Sequence, residues 1–277
     1  MPARFYLLFP PTGQVCVAFI KKNYLIFSMP KEEYLLGENI ILKGNTARVP
    51  RSRHELNIPV LDADLAYLAG YHLGDGYLED SFKTFKRSGK GGYEISYADS
   101  DIKQIELINS IIKNKFGTGL TINKRPANNV WIGRIGSCKV LHWFLHKKVG
   151  LQMGKKSKIC IPKWILTNEN FLAMFLSGFF DAEGDVSKTT NRRYKDKMYY
   201  RVKIQLTQKE KNILLEIKDV LRKLFAINCD INKKWNQDAF TLRILSKKAV
   251  IRFRERINFR NMIKKEKLDK LISEVYL

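Results

Sequence analysis

An α+β fold made from one unit used twice is predicted by three features of this chain. These are an internal repeat at a nearly constant offset, apolar spacing that switches between helical and strand periods inside each copy, and enough apolar residues for two small cores. Of 277 residues 45% are hydrophobic, so a folded core is expected rather than a disordered polyelectrolyte. The repeat is anchored by Leu68-Ala69-Gly70-Tyr71-His72-Leu73-Gly74-Asp75-Gly76 and Leu176-Ser177-Gly178-Phe179-Phe180-Asp181-Ala182-Glu183-Gly184, which lie 108 residues apart. One extra residue then enters and the offset becomes 109: Ile95 matches Ile204, Phe116 matches Phe225, and Arg134-Ile135 matches Arg243-Ile244. The matches divide the chain into an N-terminal extension (1–60), a first repeat (61–155) and a second repeat ending in a basic helix (156–277). The Gly- and Lys-rich stretch from Gly150 to Lys158 lies at the junction.

Each repeat reads helix, two strands, helix, two strands, helix. The first helix starts at Asp62 or Asp64 in one copy and at Asn168 in the other, both good N-caps, and stops at Gly76 or Gly184. A hairpin signal follows, clearest in Tyr199 to Leu206, where apolar and polar residues alternate. That parity buries Tyr200, Val202, Ile204 and Leu206 and turns Tyr199, Arg201, Lys203 and Gln205 outward. The weaker counterpart, Tyr93 to Tyr97, turns out Glu94 and Ser96. Helices are expected over Ile102 to Phe116 and Ile213 to Phe225, then strands around Ile122, Ile135, Ile231 and Ile244, with Arg134 and Arg243 on the outward faces. Residues 1–60 mix short apolar runs with Pro and Gly punctuation and read as a small arm.

Charge narrows the partner. With 50 Lys and Arg against 27 Asp and Glu, the formal charge is +23, and residues 151–277 alone carry 29 basic against 14 acidic side chains. Such a chain repels itself unless it meets a polyanion, which favours nucleic acid or an anionic surface and excludes a small acidic metabolite as the reason for the charge. No apolar run is long enough to span a bilayer and Phe5 to Pro10 is too short for a signal core, so an intracellular protein without a membrane partner is expected. Cys16, Cys138, Cys160 and Cys229 show no CxxC spacing, which argues against a zinc knuckle or a disulfide framework.

Chemistry concentrates in the repeated segment. Gly70 and Gly74, and Gly178 and Ala182, fall four apart and leave a side-chain-poor stripe on each helix, so the two helices can pack closely and bring Asp75 and Glu183 together. A carboxylate at a helix C-terminus is disfavoured by the macrodipole, and two together more so unless a cation is bound. Hard divalent ions suit two acids plus the backbone carbonyls of Gly74 and Ala182. One Asp-Gly alone reads as a helix-ending turn with a solvated acid. Two copies in register read as a site.

The paired segments resemble the signature of LAGLIDADG homing endonucleases of the single-chain, two-motif kind, over roughly residues 61 to 260. The resemblance implies two αββαββα repeats about a pseudo-two-fold axis, packed through their motif helices, with antiparallel sheets forming a saddle over double-stranded DNA. It implies Mg²⁺ (or Mn²⁺) held by Asp75 and Glu183, a staggered double-strand break with 3′ overhangs, and an intron-encoded gene. The motif is broken at Tyr71-His72-Leu73-Gly74 and at Ser177, and only the second copy keeps the sixth-position acid, Asp181. The family's polar support near the scissile phosphate is matched by Gln208 and Lys209; the first copy has Asp99 and Ser100 there, which leaves its support open. Two rivals keep the fold: an RNA maturase binding its intron RNA, and a DNA-binding regulator without catalysis.

Remaining candidates read as structural. His72 is expected in the helix interface, and His142 and His146 on an ordinary helix surface, since no third metal ligand is spaced near them. Arg252, Arg254, Arg256, Arg260, Lys264, Lys265 and Lys267 read as a solvated basic face able to touch phosphates.

Overall fold

The computed structural model describes residues 7–8, 16–17, 19–21, 24–26, 33–35, 40–50, 55–88, 92–126, 129–156, 159–194, 197–234 and 237–276, with side chains from residue 40 onward except 82, 85, 86, 88 and 191–197. Two helices form its spine. α1 (Ala63–Asp75) opens on Asp62, whose side chain accepts from the Leu65 N–H, and α5 (Glu169–Glu183) opens on Asn168, which accepts from Asn170 and Phe171. They lie against each other backbone to backbone: a Cβ built on Gly70 would sit 1.9 Å from the Phe175 carbonyl oxygen, and one on Gly178 would sit 2.1 Å from that of Tyr67. Tyr67, Tyr71, Phe175 and Phe179 flank this contact, fully buried.

Around the spine the two repeats follow one plan. In the first, β9 (Gly76–Leu78), β10 (Ile95–Asp99), β11 (Thr121–Arg125) and β12 (Val130–Ile135) form an antiparallel sheet in the order β11-β12-β10-β9. In the second, β13 (Gly184–Tyr194), β14 (Lys197–Gln208), β15 (Asp230–Lys233) and β16 (Phe240–Ile244) repeat it as β15-β16-β14-β13. Register repeats as well: Ser96 pairs with Arg134, and Gln205 with Arg243, so the 109-residue offset survives in three dimensions. α3 (Ile102–Phe116) and α6 (Lys211–Phe225) bury Ile105, Ile108 and Ile112, and Ile213, Ile217 and Leu221, beneath the sheets. α7 (Lys247–Arg256) and α8 (Met262–Tyr276) close the second repeat, while α4 (Lys139–Trp143) and the π-helical turn Phe144–Val149 close the first.

Several expectations are corrected. The first repeat's strand pair is not a hairpin, because α2 (Ser81–Ser88) intervenes, started by the Asp80 carboxylate, which accepts from the Lys83 N–H. Tyr200 is 47% exposed rather than buried: β16 pairs with β14 only from Ile204 onward, so the far end of β14 outruns its neighbour. His142 is buried, its Nε2 2.7 Å from the Glu79 carbonyl oxygen, because α4 is short and buries Val140, Leu141 and Trp143 as well. His72 is fully buried, as its place in the interface requires.

Residues 1–60 contain antiparallel pairs, β1 (Leu7–Leu8) with β2 (Cys16–Val17) and β3 (Phe19–Lys21) with β4 (Tyr24–Ile26). A four-stranded sheet follows, β5 (Glu33–Leu35), β6 (Ile40–Lys43), β7 (Thr46–Arg48) and β8 (Leu56–Asn57), in sequential order. Ile40 and Ala47 join the main core, so the later part of this stretch is built into the body. Among the described residues no helix is long and apolar enough to cross a membrane.

Candidate functional site

Asp75 and Glu183 are the last residues of α1 and α5, and each chain runs straight into a strand through an extended glycine. Glycine is needed for space at both turns: a Cβ on Gly76 would meet His72 Nδ1 at 2.3 Å, and one on Gly184 the Phe180 carbonyl oxygen at 2.4 Å. Gly74 has the same reason, since its Cβ would lie 2.4 Å from the Ala182 Cβ and 2.7 Å from the Glu183 Cγ. The small residues therefore bring the two acids onto touching turns, as the sequence spacing requires. Burial, then Glu183, then Asp99 push the Asp75 carboxyl up to about 7; burial raises Glu183 as well.

Two lysines stand over these helix ends. Lys156 Nζ donates to the carbonyls of His72 (2.6 Å), Leu73 (3.0 Å) and Gly74 (2.8 Å), closing the C-terminus of α1. Lys264 Nζ donates to the Asp181 carbonyl and, at 3.4 Å, to that of Phe180, closing α5. Burial pulls Lys156 down to about 8 and lowers Lys264, while the acids oppose it. The Gly74 carbonyl is thus engaged by an ammonium group. Neither lysine was singled out in the sequence as part of the site, yet 108 residues separate them, the same offset as the two acids.

The second shared position differs between the halves. Gln208 hydrogen-bonds the Glu183 side chain, from the last residue of β14 rather than from a helix start. Its counterpart Asp99 accepts from the Tyr71 hydroxyl at 2.7 Å and from the Asp101 N–H at 2.8 Å. Asp75, Asp99, Asp101, Asp181, Ile263 and Lys264 share the walls of one cavity of about 450 Å³, so Lys264 from the second repeat faces the acid of the first. Lys209 is exposed at the turn before α6, outside this cavity, and Ser100 is exposed beside Asp99. Among the described residues no three His, Cys, Asp or Glu side chains converge as a metal cluster.

On the sheets the outward residues fall where the alternation puts them. In the second repeat, Arg201, Lys203 and Gln205 are half-exposed and Tyr199 exposed, opposite buried Val202, Ile204 and Leu206. Arg243 pairs across from Gln205 and Asp230. Arg201 and Arg243 line a second cavity, of about 500 Å³, with Asp230, Lys247 and Tyr276. In the first repeat, Arg134 is exposed and lies 3.5 Å from the Glu94 carboxylate, with Ser96 between them in register. The basic run of the C-terminal part is in part the solvated face expected, since Arg254, Arg256 and Lys267 are exposed while ion-paired, and Arg260 and Lys264 turn inward. Arg254 pairs with Asp269, Arg256 with Glu169 and Lys267 with Asp185, while Arg260 bonds Asp64 and stacks on the Tyr67 ring at 4.6 Å.

Known proteins share this fold. Residues 170–258 match the LAGLIDADG-like domain family. Among solved structures, the chain is similar to the I-LtrWI LAGLIDADG homing endonuclease bound to target DNA, with a TM-score of 0.52 and 15% identity over 76% of this chain and 90% of that one. It is also similar to the meganuclease I-SmaMI bound to uncleavable DNA (TM-score 0.51, 13% identity, 76% and 89% coverage) and to a variant of I-SmaMI (TM-score 0.54, 15% identity, 77% and 92% coverage). At these identities the likeness is one of fold. The second repeat matches the family directly, and the first repeats its strand order, its register and its helix-end acid, so the chain contains one LAGLIDADG-like domain and a second unit built on the same plan.

Proposed function

We propose that the chain is a site-specific DNA homing endonuclease that makes a staggered double-strand break at a long target by metal-dependent phosphodiester hydrolysis. The observation that carries this reading is the pair of half-buried carboxylates at touching helix ends, each overlooked by a lysine. Two carboxylates with hard oxygen donors, held partly dry and, among the described residues, without a side-chain cation bonded to either, fit Mg²⁺ or Mn²⁺ completed by water and phosphate oxygens. Asp75 and Glu183 would hold such an ion, which when bound supplies Lewis-acid stabilisation and a more acidic water.

The remaining roles belong to the chain itself. Asp75, Asp99 and Lys264 serve one strand; Glu183, Gln208 and Lys156 serve the other. Each lysine spends donors on helix-end carbonyls and keeps its ammonium pointed where charge builds up on the scissile phosphate. Gln208 orients the Glu183 carboxylate, and the Tyr71 hydroxyl does the same for Asp99. Lys209 adds a charge at the margin of the second site. The outward sheet faces, Glu94, Ser96 and Arg134 in one half and Tyr199, Arg201, Lys203, Gln205 and Arg243 in the other, read the groove. The test is cleavage of a plasmid carrying the intron-free sequence around the gene's own insertion site. Cutting with Mg²⁺ and none with EDTA supports the reading; binding without cutting in Mg²⁺ and Mn²⁺ sinks it.

Binding should weaken steeply with salt, log Kd changing by about 0.9 per neutralised phosphate for each decade of salt. A flat response in a fluorescence-anisotropy titration would remove nucleic acid as the partner. Arg201→Ala or Gln205→Ala should cost about 1–3 kcal/mol at one or two adjacent base pairs and relax preference only there. Uniform weakening across a panel of single-base target variants would mean that this face touches phosphates only.

A further inference from the structure

We propose that Asp181 is a positioning residue: from the buried interface it holds the backbone of Arg260 and Asn261 and so sets where Lys264 stands beside Asp75. This rests on the endonuclease reading and extends it to a residue that touches neither metal nor DNA.

Asp181 Oδ2 accepts three hydrogen bonds, from the Tyr67 hydroxyl (2.6 Å) and from the backbone N–H groups of Arg260 and Asn261 (3.0 Å each). The Tyr67 hydroxyl in turn accepts from Gln104 Nε2 (2.8 Å), and Gln104 Oε1 accepts from Asn261 Nδ2 (3.3 Å). The result is a closed ring of four side chains from α5, α1, α3 and the segment before α8, with Gln104, Asp181 and Asn261 almost wholly buried. Such a ring is rigid, because each buried polar group that lost its partner would remain desolvated. Asn261 also starts α8: its Oδ1 accepts from the Lys264 N–H at 3.0 Å, so the first turn of that helix is laid down from the ring. One turn along, the Lys264 ammonium returns to the carbonyl of Asp181 itself.

Among the described residues the first repeat shows no such ring. Leu73 occupies the position of Asp181, and Lys156 is seated by three carbonyls of α1 directly. Loss of the ring should therefore affect only the strand cut at Asp75.

The experiment measures single-turnover nicking of each strand on end-labelled target DNA at saturating protein, for wild type, Asp181→Leu, Asp181→Asn, Lys264→Met and the double variant Asp181→Leu/Lys264→Met. Backbone amide exchange at Arg260 and Asn261 is followed alongside. Asp181→Leu should slow the Asp75-site strand about a hundredfold with the other strand and target affinity unchanged, the size of effect a misplaced catalytic group produces. Adding it to Lys264→Met should slow that strand no further, and exchange at Arg260 and Asn261 should accelerate. Asp181→Asn keeps an acceptor oxygen for the two N–H groups and should recover most of the rate, which also covers the case in which the leucine variant fails to fold. Equal slowing of both strands, or undisturbed amide protection in both variants, overturns the proposal. A wild type that cuts neither strand overturns the endonuclease reading instead, and the exchange result then decides the ring by itself.

Discussion

Asp75→Asn is expected to abolish double-strand cleavage, leave target affinity within about twofold, and make the metal-free protein more stable at pH 8 than the wild type. Glu183→Gln should behave alike in direction. A residue kept for structure does not become more stabilising when its charge is deleted; a residue kept for chemistry can. Asp75 ordinarily titrates near 3.8 but is pushed up to about 7 by burial, Glu183 and Asp99. Between those values the folded state holds the proton more tightly than the unfolded chain does. Stability of the metal-free protein therefore falls as pH climbs from 3.8 through about 7 and levels off above that, where both states have lost the proton. Each pKa unit is worth about 1.4 kcal/mol, reduced here because the group keeps some contact with water. Buried His72 takes the opposite sign below about 6.5, where the unfolded chain gains a proton that burial denies the fold, so the comparison belongs between pH 8 and 6.5. Calorimetric melts in EDTA should show a pH-dependent gap between variant and wild type that Mg²⁺ reverses by stabilising the wild type alone. Some nicking of one strand can survive in each single variant, because each acid serves its own cut. Parallel loss of binding and cleavage would reduce both acids to scaffold.

The second large effect is on folding. Gly70→Ala and Gly178→Ala should each destabilise the protein by more than about 3 kcal/mol, beyond the usual range for overpacking. The intruding Cβ meets a backbone carbonyl, 1.9 Å or 2.1 Å away, not a side chain able to swing aside. Relief requires the two helices to separate along their length, taking Tyr67, Phe175 and the acids with them. Gly136→Ala is the control: nothing lies within 4 Å of a Cβ there, so it should be neutral or slightly stabilising. Urea unfolding of the three variants decides the point. A Gly70→Ala protein within about 1 kcal/mol of wild type would disprove the close helix contact.

How far the amino-acid order alone reaches can be judged residue by residue. The repeat offset anticipated that Arg134 and Arg243 hold matched places, and the structure keeps that match in the strand register, Ser96 opposite Arg134 and Gln205 opposite Arg243, because duplicated units keep their internal spacing. Asp62 and Asn168 were legible as caps because a short polar side chain ahead of an apolar period satisfies the first N–H groups locally. Tyr200 misled because alternation reports parity, not where the neighbouring strand ends. α2 was hidden by its brevity and by the polar residues between Phe82 and Phe85. Lys156 and Lys264 were hidden by company: in Lys-rich stretches each looks like one more solvated charge, and only tertiary packing sends these two to helix-end carbonyls. Their 108-residue separation was visible throughout, but an offset acquires meaning only when the partner it predicts is known.

The backbone contact between α1 and α5 also separates two properties that could have been entangled. In the endonuclease reading, the distance between the two cuts is metered by helices whose backbones already touch at Gly70 and Gly178, while the choice of target is made on the strands that follow them. Side chains on the sheets can then drift, lineage by lineage, toward new DNA sequences without altering the stagger of the break. A graft joining the first repeat to a foreign second repeat should inherit its cut spacing from the glycine stripe and its target from the two sheets separately, provided residues 70, 74, 178 and 182 stay small.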